Sequence, residues 1–123
     1  MSKPIHVQII EEARALIADK EKWCRRQMAL DIDGVPVCAN DANARKMCAY
    51  GALIAAAHRW TEDSGRAFAL TSTAATRFGG SEALIRINDA RGHAAVLALF
   101  DEAIRRPTIS VSVANGAPPL VTV

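Results

Sequence analysis

Asn88, Asp89 and His93 are the residues whose types and spacing come closest to a chemical site. An amide, a carboxylate and an imidazole at the start of a helix have the makings of a small-molecule site. A helix N-terminus attracts anions, and His ionises near neutral pH, so it can serve as donor or base. Trp23 and Tyr50 are amphipathic aromatics of the kind that line such a pocket. A structural reading competes. Asn88 or Asp89 caps the orphan N–H groups of the last helix, and His93 fills the top of its apolar face. An Asp at that position also repels an anion. The capping account needs fewer assumptions, so the expectation is a cap with no catalytic residue.

The remaining chemistry is sparser. Cys24, Cys38, Cys48 and His58 equal a zinc ligand set in number, but no close cysteine pair is present. Cys48 sits in an apolar helical run, where burial raises a thiol's pKa and makes it inert. Asp31-x-Asp33-Gly34 resembles the start of a calcium loop, yet Ala42 stands where the distant Glu belongs. Gly79-Gly80 lacks the Lys of a phosphate loop, and no Ser-His-Asp set appears. The expectation is no metal and no cofactor.

The elements that must position these residues follow from composition and period. A chain of 123 residues argues for one domain. Alanine supplies about a fifth of it, which favours helix. Residues 42–60 stand out, because Met47 to Ala57 contain no charge and Tyr50 is their only polar side chain. A helix apolar on nearly all sides is buried, so this is the expected central helix, capped by Asn40 or Asp41. Ala44, Cys48, Ala52 and Ala56 form a row of small side chains along it, suited to close packing. Ahead of it lie an amphipathic helix over about 4–18 and a shorter one over about 20–29, capped by Asp19. Between comes a hairpin over 30–38, with Asp33-Gly34 as a two-residue turn and Pro36 on an edge. A helix capped by Ser64 then reaches Gly79-Gly80, and a short helix runs from Ser81 to about Ile87. Asn88-Asp89 opens the last helix, which ends at Pro107. Ile109, Val111 and Val113 alternate with Thr108, Ser110 and Ser112, as in a half-buried strand. The fold class is therefore mainly α: a helical domain over 1–107 around a buried central helix, with a short hairpin and an extended tail over 108–123.

Charge and hydropathy bound the partners. A formal charge of +2 is too small for a nucleic-acid or membrane surface. Lys20, Lys22, Arg25 and Arg26 cluster, but Asp19 and Glu21 interleave. No uncharged run is long enough to span a bilayer, and no signal peptide is visible. The three cysteines are expected to be reduced thiols in a cytoplasmic protein.

These residues together resemble a small family of uncharacterised bacterial and phage domains. The motifs in order are Trp23; Ala29, Asp31, Gly34 and Val37; Cys48, Gly51, Ala52 and Leu53; Asn88 and Asp89; and Val96, Leu97, Leu99, Phe100, Ala103 and Ile104. Met47 and Ile87 stand where that family often has Trp. The resemblance spans about 10–105, implies a fold, and carries no activity over. The leading functional expectation is a non-enzymatic binding or assembly module, with a homodimer formed through the tail. The alternatives are a small-molecule sensor or enzyme built on Asn88, Asp89 and His93, and, more weakly, a nucleic-acid-associated regulator.

Overall fold

A computed structural model describes residues 3–106, and the tail strand expected over 108–113 lies outside the described residues. Five helices carry the fold: α1 (Ile5–Leu16), α2 (Ala49–His58), α3 (Ser64–Ala75), α4 (Ser81–Ala90) and α5 (His93–Arg105). Between α1 and α2 run three short strands, β1 (Ala29–Leu30), β2 (Pro36–Val37) and β3 (Lys46–Met47), in the order β2-β1-β3. The mainly helical single domain expected from the sequence is what forms.

α2 is the centre. It packs against α1, α3 and α4. Ala49, Ala52, Leu53, Ala56 and Ala57 on it are fully enclosed. Small side chains let three neighbours approach together, which is why an alanine-rich stretch can be a core helix. Ile9, Ile10 and Ala13 of α1 and Val96, Phe100 and Ala103 of α5 complete the core. The Phe78 and Phe100 rings meet at 4.9 Å and a 50° tilt. α1 and α5 are also joined at the rim by Arg14, whose Nε lies 2.5 Å from Asp101 Oδ1.

Four expectations need correction. The central helix begins at Ala49, not at residue 42. Asp41 accepts the Asn43 N–H at 2.7 Å and holds a loop instead of capping a helix. Lys46–Met47 then pairs with β1, placing Met47 opposite Ala29. Ala44 is thus outside the small-residue row, while Cys48, Ala52 and Ala56 remain in it and are buried. The second helix reduces to a single 3-10 turn, Lys20–Lys22, though Asp19 does cap it through the Glu21 N–H. The hairpin forms with β2 at an edge, but its loop has three residues. Asp31 N–H donates to Val35 O at 2.9 Å, and only Gly34 of the loop has a positive φ, +81°. The Asp31 carboxylate sets this loop by accepting the Asp33 and Val35 N–H groups. Finally, α3 is capped by Asp63, not Ser64, through the Gly65 and Arg66 N–H groups.

Gly51 explains how the sheet meets the core. A Cβ there would lie 2.1 Å from the Met28 carbonyl oxygen. That same oxygen accepts the Cys48 N–H at 3.1 Å. The backbone before β1 therefore lies directly on the first turn of α2, a contact only glycine allows.

Candidate functional site

α4 runs three residues further than expected, through Ala90, so Asn88 and Asp89 belong to its last turn. Gly92 takes the N-cap position of α5, with no side-chain cap. The expectation that Asn88 or Asp89 caps the last helix is therefore wrong. An amphipathic α4 needs Leu84 and Asn88 on one face, and that requirement carries the helix past the residues that read as a start signal.

Asn88 does cap a helix, but a different one. Its Oδ1 accepts the N–H of Ala49, the first residue of α2, at 2.9 Å. The same oxygen accepts Trp23 Nε1 at 2.7 Å, and its Nδ2 donates to Cys24 O at 3.1 Å. The side chain is 1% exposed. One buried amide thus ties α4 to α2 and to the segment entering the sheet, using both its donor and acceptor sides. Cys48 supplies a second cap at the same helix end: its Sγ accepts the Gly51 N–H at 3.2 Å. Sequence reasoning missed this role because Cys is not among the usual capping residues. The signal available was a small polarizable side chain three residues before an obligatory glycine.

Trp23 and His93 join Asn88. The Trp23 and His93 rings lie 5.5 Å apart, and the Arg25 guanidinium sits 5.2 Å over the Trp23 ring. His93 Nε2 is 2.7 Å from Ile17 O. A carbonyl only accepts, so Nε2 carries the hydrogen. Asp89 stays within reach of Asn88, whose Nδ2 donates to its Oδ1 at 3.5 Å. The same Asp89 oxygen accepts the Arg26 N–H at 2.9 Å and steadies that residue at φ +69°. Tyr50, in the first turn of α2, is half-buried against the core. The five candidates therefore divide: Asn88 is hydrogen-bonded to Trp23 and, at 3.5 Å, to Asp89, His93 touches this group only through the Trp23 ring, and Tyr50 makes no hydrogen bond to any of them.

Asp89 lines a cavity of about 200 Å³ with Arg26, Gln27, Met28, Cys48 and Ile85. Burial pushes the Cys48 thiol up from its ordinary value. Burial, and then the nearby Cys48, push the Cys24 thiol up to about 11. Neither is a thiolate at neutral pH, so neither is poised as a nucleophile. Among the described residues no three His, Cys, Asp or Glu side chains gather as metal ligands. No described helix is long and apolar enough to cross a membrane.

A larger groove of about 520 Å³ lies on the hairpin side of α2. It is lined by Met28, Pro36, Val37, Cys38, Ala39 and Ile54, with the amides Gln27 and Asn40, and by no charged residue. At the hairpin loop beside it, Ile32 is 82% and Val35 53% exposed.

A sequence model of DUF6197, a family of unknown function, matches residues 1–106, and the chain belongs to that family. No match was found among curated proteins or among solved structures.

Proposed function

We propose that this DUF6197 chain is a non-enzymatic binding or assembly module that works through the hairpin side of α2. The observation carrying the reading is a contrast between two places. At Asn88 the polar groups are occupied within the fold, as a latch requires. On the hairpin, Ile32 and Val35 are left in water beside an uncharged groove. Apolar side chains exposed next to one another on a loop tip are a common mark of a contact surface. A homodimer through the C-terminal tail, a cytoplasmic setting, and a bacterial or phage origin belong to the same reading.

The test uses the full chain and its double variant Ile32→Asp, Val35→Asp. Both sites are exposed, so the melting temperature stays unchanged. Sedimentation mass and recovery of partners from the native host are then compared. Loss of an assembly or partner in the double variant supports the module. Equal behaviour of the two proteins overturns it.

A small-molecule site is the second reading, favoured by the cavity against Asp89 and Cys48. Its volume is below the roughly 300–1,000 Å³ usual for ligand pockets. A metabolite that raises the melting temperature of the parent but not of Asp89→Asn would establish it.

A further inference from the structure

We infer that the groove beside β2 seats residues 108–113 of a second copy of this chain, added as a strand to the free edge of β2. The inference rests on the assembly reading above and names its partner.

Among the described residues the sheet has one open side. On the β3 side, Trp23 bridges Met47 and the Cys24 N–H donates to Met47 O. On the other side nothing described pairs with β2 beyond β1. Val35 and Val37 turn their main-chain groups toward β1: Val35 O accepts the Asp31 N–H, and Val37 lies opposite Ala29. Alternation then turns the Pro36 carbonyl and the Cys38 N–H outward. Pro36 has no N–H to lose there, so an added strand meets one acceptor and one donor and no orphan.

The side chains also match. The groove below this edge carries no charge. Residues 108–113 carry none either, and they place Ile109, Val111 and Val113 on one face. A charged peptide would meet no counter-charge here.

Reach decides which copy supplies the strand. α5 begins at the sheet pole, where His93 meets Ile17 and Trp23. Its other end is tied to the far pole: Arg77 Nη2 donates to the carbonyls of Ala103 and Arg106. Thirteen helical residues separate the two ends, about 20 Å at 1.5 Å each. Pro107 and Thr108 together span at most about 7 Å. With only Pro107 as a tether between α5 and the alternating segment, that segment is assigned to the edge of a second copy. In a twofold pair the tail of each copy is free to meet the edge of the other.

Cys38 is an exposed thiol in the groove, which makes the test direct. In the full chain, Val111→Cys under mild oxidation should give a disulfide-linked species of twice the monomer mass, and Cys38→Ser should abolish it. By light scattering the parent should be a dimer and Val111→Asp a monomer with an unchanged circular-dichroism melt. A monomeric parent, a Cys38 link within one chain, or a dimer that survives Val111→Asp each overturns the inference. A dimer that survives Val111→Asp but is lost in Ile32→Asp, Val35→Asp would leave the assembly reading standing without the tail.

Discussion

Asn88→Ala should be among the most destabilising single changes in this chain. The substitution strands three groups. The Ala49 N–H and the Cys24 carbonyl lie where Ala49 is fully enclosed and Cys24 is buried. Each such main-chain group costs about 1–3 kcal/mol when left unpaired. Trp23 Nε1 loses its 2.7 Å partner too, but the ring is only half-buried and water can reach it, so about 1 kcal/mol is assigned to it. Taking about 1.5 kcal/mol for each main-chain group, the sum is about 4 kcal/mol, a large part of the roughly 5–15 kcal/mol that holds a domain together. With a urea slope of about 2 kcal/mol/M, the midpoint should fall by about 2 M at an unchanged slope. Trp23→Phe removes one donor only and should cost about 1 kcal/mol. Because both changes break the same bond, the double variant should lose less than the two single losses added. A loss below about 1 kcal/mol for Asn88→Ala, or strict additivity with Trp23→Phe, would refute the latch.

Gly51→Ala should destabilise by about 1–3 kcal/mol, although helix propensity alone predicts a gain of about 1 kcal/mol, because the new Cβ meets the Met28 carbonyl at 2.1 Å. A higher urea midpoint for this variant would sink the close approach of sheet and helix. Arg26→Gly should raise stability by about 1 kcal/mol in thermal melts by relieving φ +69°, whereas Arg26→Val should lower it. The Cys24 thiol is held at about 11 against an ordinary 9.0, so its contribution is intact below pH 9.0 and fades as pH rises to about 11. Melts of the parent and Cys24→Ala across that range should therefore converge as the solution becomes alkaline. His6 has the opposite sign: burial, and then Arg77, lower its pKa, so stability should fall on acidification below 6.5, and His6→Gln should flatten that limb of the melting profile.

Local pattern determined a good deal of this protein. Most of the uncharged, alanine-rich run reads as a buried helix, and Ala52, Leu53, Ala56 and Ala57 are enclosed as that requires. Asp19, the edge position of Pro36, the inner face of α5 and the helix break at Gly79-Gly80 were likewise legible, because each depends on neighbours a few residues away. Boundaries were less so. Asn88-Asp89 reads as a helix start, yet the preceding helix runs through it, since burying Leu84 and Asn88 on one face outweighs a capping signal. Residues 42–47 read as helix, yet Lys46–Met47 is taken by β1, a partner far back in the chain. The candidate site shows the same division. The residue types Trp23, Asn88 and His93 could be picked out in the sequence, but what they do could not. Asn88 is a cap for α2 only because the chain brings position 88 to position 49, and its amide is spent there. Short-range steric and hydrogen-bonding preferences write helices and turns into the sequence. Which distant polar group satisfies a buried one is decided only when the core closes and water is excluded from both.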